Sequence, residues 1–549
     1  MTQEISPQIA NLFEKVKAKY FTHDSVSYKN KAMGHSLNIG IPGSGKTSSN
    51  RREAELRWEL GHKIICLYDA SRMDLAYFAF PSVSDFWKRP KYDGKKIIGA
   101  RKYPVELLYP VTKRIPKKLP KNAKIFTIPV NEIDELDIGA LTGSTSLETI
   151  KSVLNSMENK VHNNTTGHDY LNILGSMLKK TEDTDKIKIS HFGTKALKGK
   201  VFTPLLNEGI LSSKDSEYSL DIEAMLKDKK TISVLVLRHC PQKLWGFIVH
   251  YFMNHIFKLM SGIDGDKRIK MNATILLNEV SDLLQEGGDI GESSLAISRS
   301  IEKIAKQYRT ANLYLLMDTQ IPQTLPDIKD IIHTLNIFNS GFTEVNKALE
   351  IMGVSMRTGM ITSDEINIIP FLPSGWYFKI NKQSGLSFHK LLWTRSRSYL
   401  DGEDFYDIYD SVVGKMEYVD ISQQLKQLKL EDEQSIQLWE KKEEIFKKQE
   451  EVEKENKNKF KAKPGRPKKK KEIEELDDDE EDDPEDTDDE EPEENEEVAE
   501  NITDNNRVKD AVETPIIIDN KVTVTKKKVE LKKPFSYEEA PKIFDSIVL

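Results

Sequence analysis

Cysteine is nearly absent: the 549 residues include two, Cys66 and Cys240. Two thiols can build neither a disulfide framework nor a cysteine-based metal centre. Both sit in apolar runs that read as buried strands or strand ends, where a thiol packs as a small hydrophobe. A reducing, intracellular setting is therefore expected. Long apolar runs are also missing. The nearest, Leu244–Met260, carries His250, Asn254, His255 and Lys258, and reads as a buried helix rather than a membrane span. The first residues, MTQEISPQIANLFEKVKAKY, lack the apolar centre of a secretory signal. These absences lead us to expect a soluble chain. The sequence has no internal repeat.

Charge, by contrast, is plentiful: Asp, Glu, Lys and Arg make up 31% of the chain, above the usual quarter. It is unevenly placed. From Glu431 to the C-terminus, 23 Lys and Arg face 39 Asp and Glu, a net of −16; the whole chain nets −7, which leaves +9 on residues 1–430. A mildly basic body can hold a polyanion, although charge alone never names it.

Residues 1–30 read as a helical lead. Ser36–Gly40 is a short apolar segment followed by Gly-rich punctuation, and Thr47–Leu60 carries a helical pattern ended by Gly61. β-Branched apolar runs recur at Lys63–Tyr68, 124–130, Ile232–Leu237, Ala273–Leu277, Asn312–Met317 and Leu335–Phe338, with helical patterns between them. Continuous apolar strands alternating with helices imply the α/β class, with a mainly parallel sheet covered on both faces. Residues 140–230 lack a strand rhythm and read as a helical insertion in a body spanning 31–425. A Lys/Glu-rich, helix-permissive linker follows at 426–460.

The tail, 461–512, is basic and then acidic. It opens with KAKPGRPKKKK, and residues 472–500 then hold 21 acids and no Lys or Arg. Such a block cannot bury enough apolar surface to fold alone and is expected to be disordered. Apolar character returns over 513–549, which reads either as a docking peptide for a protein partner or as cover for an apolar patch of the body.

One motif carries chemistry. Gly40-Ile41-Pro42-Gly43-Ser44-Gly45-Lys46-Thr47 satisfies G-x-x-x-x-G-K-[ST], with an apolar strand before it and a helix after. The glycines let backbone N–H groups turn inward around phosphates, and the helix points its positive end at the same anion. Lys46 would neutralise the β- and γ-phosphates of ATP, and the Thr47 hydroxyl would ligate Mg²⁺. The nucleotide-binding set is Gly40, Gly43, Ser44, Gly45, Lys46, Thr47 and Ser48.

A P-loop also needs a carboxylate site for Mg²⁺ and water. The best candidate is Ala273-Thr274-Ile275-Leu276-Leu277-Asn278-Glu279, an apolar strand ending in Asn-Glu where Asp-Glu is usual. Asn278 can accept a hydrogen bond from a Mg²⁺-bound water but brings no charge, so it is the metal-side candidate with Thr47. Glu279 could orient or deprotonate the attacking water. A third strand closes on Asp318-Thr319-Gln320, which would place the Gln320 amide beside the γ-phosphate.

Together these residues resemble the FtsK–HerA superfamily of P-loop ATPases. The likeness rests on the P-loop, the strand ending in Asp69, the Ile275–Glu279 segment, and an Arg309-x-x-x-strand-Thr319-Gln320-Ile321-Pro322 pattern; Ile337–Phe342 and Lys347–Gly353 extend it. It covers roughly residues 34–400. It implies a RecA-like core, a homo-hexameric ring with ATP between subunits, and double-stranded DNA in the pore. Carried over, Lys46 and Thr47 bind nucleotide and Mg²⁺, Glu279 is catalytic and Gln320 is the sensor. Asn278 departs from the superfamily's Asp and puts turnover in doubt. An arginine given in trans is also implied; Arg309 is the first choice among Arg299, Arg309, Arg395 and Arg397. The 232 residues from Lys46 to Asn278 are long for septal translocases, and no membrane helices or β-barrel domain precede the P-loop. A packaging ATPase or a soluble plasmid-transfer motor fits that pattern. A nucleotide-dependent scaffold with weak turnover, and an export ATPase recruited to a membrane partner, stand as alternatives.

In the tail, Pro464-Gly465-Arg466-Pro467 flanked by lysines resembles an AT-hook, with Arg466 for the minor groove and Lys468 and Lys469 for phosphates; a plain basic linker fits it equally. The adjacent acids would compete with DNA for this run. Deleting residues 472–500 is therefore expected to tighten DNA binding in a fluorescence-anisotropy titration, and unchanged affinity would remove the idea.

Overall fold

The structure is a computed structural model. It describes residues 7–22 and 33–452, the latter interrupted at 69–72, 90, 94–95, 143–146, 182–193, 196, 263–269, 285–290, 326–330, 355–359, 399–402, 414–417 and at scattered positions after 431. Asp69, Arg466, Lys468, Lys469, the acidic run and the C-terminal segment lie outside the described residues.

Ten strands form one sheet: β1 (His35–Ile39), β2 (Lys63–Tyr68), β3 (Val105–Pro110), β4 (Ala123–Phe126), β5 (Ile232–Leu235), β6 (Ala273–Leu277), β7 (Leu313–Thr319), β8 (Ile332–Ile337), β9 (Trp376–Asn381) and β10 (Gly385–Lys390). Their order is β10-β9-β8-β1-β7-β6-β2-β5-β3-β4. The pairs from β8 through β4 are parallel, and β9 and β10 add an antiparallel hairpin at one edge. Every residue of β1, β2, β5, β6 and β7 is buried, as expected for central strands covered on both sides.

The sheet divides two cores. Successive strand residues alternate between them: Ile64, Cys66, Leu276 and Leu316 lie on one side, Ile65, Leu67, Ile275 and Leu315 on the other. The Lys46–Glu59 helix covers the first side, and its Ala54 packs there. The Trp245–Ser261 and Gly291–Ala311 helices cover the second. Among the described residues, the segment expected to be a helical insertion holds helices at Glu135–Thr142, Leu147–Met157, Gly167–Thr181, Thr203–Glu208 and Ile222–Lys227. Among the described residues no helix is long and apolar enough to cross a membrane. Both cysteines are free and buried.

The sequence pattern does not mark β3, β9 or β10 as strands. β3, VELLYP, sits between Pro104 and its own Pro110. The hairpin's aromatics are matched by the N-terminal helix (Pro7–Tyr20), whose Phe13 meets Trp376 and Phe388 edge-on at 5.3 and 5.5 Å. The lead is thus part of the body's packing, a tertiary fact invisible in local periodicity.

His35 joins three elements at the head of β1. Its Nδ1 accepts the Leu315 N–H at 2.9 Å, and its Nε2 lies 3.3 Å from the Ala305 carbonyl oxygen. That pairing needs the neutral ring with the proton on Nε2. Burial first, then the nearby His333 and Arg57, push its pKa down to about 3. A base with a folded value below its unfolded one stabilises the fold above the unfolded value, and that stability drains as pH falls through the window from 6.5 toward about 3. Urea midpoints are expected to fall across that window. His35→Asn, which keeps an acceptor near the Nδ1 position, should flatten the fall; parallel profiles for the two proteins would assign it to other groups.

Candidate functional site

β1 runs directly into the Gly40–Gly45 loop, and the helix that follows starts at Lys46. Gly43 and Gly45 take φ of 73° and 112°, the left-handed region that favours glycine. At Gly40 a Cβ would lie 2.6 Å from Ser44 Oγ and 2.8 Å from Phe338 Cβ. The helix has no side-chain N-cap, so its first N–H groups remain for an anion. The loop is braced from outside: Ile41 N–H donates to Asn339 O at 2.8 Å, Gly375 N–H to Ser44 O at 2.9 Å, and Ser374 Oγ to Gly43 O at 2.7 Å. A segment after residue 370 therefore holds the cradle's shape, which the motif alone did not reveal.

Lys46 is 4% exposed. Its ammonium donates to Ile41 O at 3.1 Å and stands 3.6 Å from Glu279 Oε1. P-loop lysine and candidate catalytic glutamate, 233 residues apart in the chain, thus share one site. Glu279 takes φ of 48°, an unusual conformation for a residue with a Cβ. Its N–H is held at 2.6 Å by Asp318 Oδ1, so a buried carboxylate stabilises the turn that aims Glu279.

Asp318 is one of a row of polar residues crossing the sheet. Asn336 pairs with Asn38 between β8 and β1, and Asn38 with Asp318 between β1 and β7. Leu277 pairs with Met317, which puts Asn278 at the level of Asp318. Asn336 Nδ2 donates to Asn38 Oδ1 at 2.7 Å; Asn38 Nδ2 donates to Lys46 O at 3.0 Å and Asn50 Oδ1 at 2.9 Å; Asn50 Nδ2 donates to Asp318 Oδ2 at 3.1 Å. Thr47 Oγ1 also donates to Asp318 Oδ2, at 3.5 Å. Asp318 is fully buried. Burial first, then the Glu279 charge, push its carboxyl up to about 7, while Lys46 and the bonds from Glu279 N–H and Asn50 oppose the rise.

Sequence reasoning missed Asp318, Asn38, Asn50 and Asn336 as site residues. For Asn38, Asp318 and Asn336 the available signal was a polar side chain inside an otherwise apolar buried strand, since such groups persist when they are paired; Asn50 lies in the P-loop helix. Asn278 is 3% exposed, and neither its Oδ1 nor its Nδ2 has a hydrogen-bond partner in the structure; the same holds for Glu279 Oε2. Unpaired buried polar atoms of this kind suit water or a hydrated cation. With the glycine cradle, the buried lysine and the Thr47 hydroxyl, the residues present fit a Mg²⁺-nucleotide.

The other candidates are placed less centrally. Thr319 pairs with Ile39, so Gln320 sits level with Gly40 at the loop's entrance. Arg309 lies in the Gly291–Ala311 helix, and its side chain is outside the described residues. Arg299 is exposed. Arg395 and Arg397 are held within the chain: Arg395 pairs with Glu59 and donates to Gly99 O at 2.8 Å, and Arg397 pairs with Glu403. Their neighbourhood latches the end of the body onto the P-loop helix, with Ser396 Oγ and N–H donating to Glu55 Oε1 at 2.6 and 2.8 Å.

The sequence matches no family model and no curated protein. Solved structures do match. One is VirB4 of Thermoanaerobacter pseudethanolicus, at 10% identity and a TM-score of 0.41, covering 65% of this chain and 89% of that one. A second is the bacterial conjugative coupling protein TrwBdeltaN70, at 13% identity and a TM-score of 0.41, covering 72% of this chain and 94% of that one. A third is the genome packaging NTPase B204 from Sulfolobus turreted icosahedral virus 2, in complex with AMP, at 11% identity and a TM-score of 0.20, covering 32% of this chain and 78% of that one. On its own topology and loop, the chain has an α/β P-loop fold with a mainly parallel sheet.

Proposed function

We propose that this protein is an ATPase of the FtsK–HerA type that moves double-stranded DNA, in genome packaging or in plasmid transfer, as a homo-hexamer. The observation that carries the reading is the meeting of Lys46 and Glu279 at 3.6 Å beside an uncapped helix start. Bound with ATP, Mg²⁺ would neutralise charge on the phosphate oxygens. Lys46 turns from Ile41 O and Glu279 to those oxygens. Glu279, released from that pairing, orients the attacking water and takes its proton. Thr47 offers its hydroxyl oxygen to the cation, and Gln320, at the loop's entrance, reports the γ-phosphate. The cation would be held through Thr47, the phosphates and water, with the Asn278 amide accepting from that water. The mildly basic body and the Gly-Arg-Pro run around Arg466 support DNA as the polymer.

Steady-state ATP hydrolysis is expected to rise several-fold with linear double-stranded DNA, and Lys46→Ala to abolish it. ATP binding with hydrolysis at the Lys46→Ala level, with or without DNA, would favour a nucleotide-dependent scaffold instead.

A further inference from the structure

We infer that Asp318 supplies the carboxylate that Asn278 lacks, so that the metal-side acid of this site stands one strand over from its usual place. The inference rests on the P-loop holding a Mg²⁺-nucleotide and names how this chain completes that site.

Three observations converge on it. First, position: β6 and β7 are parallel neighbours with Leu277 beside Met317, so the residues that follow, Asn278 and Asp318, stand side by side at the same height. An acid at either place reaches the same volume above the P-loop. Second, contact: the job of that acid is to accept the hydroxyl proton of the P-loop Thr, leaving a Thr lone pair for the cation. Asp318 Oδ2 lies 3.5 Å from Thr47 Oγ1, and Asn278 makes no hydrogen bond through either amide atom. Third, support: Asp318 is fixed by Asn50 Nδ2 at 3.1 Å and Glu279 N–H at 2.6 Å, so its carboxylate is oriented before any ligand arrives. Its bond to Glu279 N–H also ties the metal side of the site to the water side. In this arrangement Asp318 is a positioning residue that acts through Thr47, and the Asn278 amide is left for a water on the cation.

The same geometry explains how Asn278 is tolerated. A cation beside Thr47 would be offset by an acid, and the neighbouring strand provides one in Asp318. A second carboxylate at 278, beside Asp318 and near Glu279, would place three acids around one pocket and add like-charge repulsion whenever the cation is absent.

The test is calorimetric binding of a non-hydrolysable ATP analogue to the full chain, in Mg²⁺ and in EDTA. Wild type is expected to bind in both and more tightly in Mg²⁺. Asp318→Asn is expected to lose roughly tenfold or more of affinity in Mg²⁺, the usual scale for a group that orients a metal ligand, and a smaller factor in EDTA, so that the Mg²⁺ enhancement is lost. Asn278→Asp added to Asp318→Asn should restore the Mg²⁺ enhancement. An Asp318→Asn variant with the full Mg²⁺ enhancement overturns the inference. Should that single variant fail to fold, the double variant decides: Mg²⁺ enhancement near wild type supports the exchange, and binding in EDTA without enhancement overturns it. A wild-type chain that binds the analogue under neither condition removes the P-loop reading itself, and the inference with it.

Discussion

The structure depends on one buried contact, the Asp318 carboxylate between Thr47, Asn50 and Glu279 N–H. A carboxylate removed from water is costly unless it is hydrogen-bonded, and here its partners come from the P-loop helix and the turn after β6. Satisfying Asp318 therefore sets the height of the helix on the sheet and the unusual backbone of Glu279 in one step. Asn38 and Asn336 continue the row across β1 and β8, Asn336 through its Nδ2 alone. A paired polar row of this kind permits one register, because a slip by one residue would bury several amides without partners.

The rest of the fold serves this centre. Apolar strands with alternating faces give two cores and a rigid sheet, and the site forms at the C-terminal ends of β1, β6 and β7, where parallel α/β sheets gather their loops. The loop's outer wall comes from Asn339, Ser374 and Gly375, far along the chain. The latch of Arg395 and Ser396 onto Glu55 and Glu59 clamps the same helix from its other end.

Much of this was legible in the residues. The P-loop, the strand before it, the helix after it and the apolar strands of a parallel sheet all announce themselves through local pattern; motif order named Glu279 as a candidate to orient water, and the structure sets it 3.6 Å from Lys46. What was not legible came from pairing across distance. β9 and β10 are half-buried edge strands whose aromatics make sense only against Phe13 of the N-terminal helix. Asp318 was in plain view in the Thr319-Gln320 strand, yet its importance follows from its register with Asn38 and Asn278, which no linear reading supplies. Arg395 and Arg397, candidates for an arginine in trans, are engaged by Glu59 and Glu403 of their own chain, and local sequence gives no sign of it.

If nucleotide turnover at this site does work on duplex DNA, as proposed, a motor moving along the duplex displaces the third strand of a triplex. With ATP and Mg²⁺ the full chain is expected to strip the third strand in a time that lengthens with the distance between loading end and triplex, and to strip none with ADP. ATP turnover that leaves the triplex in place would overturn the motor reading.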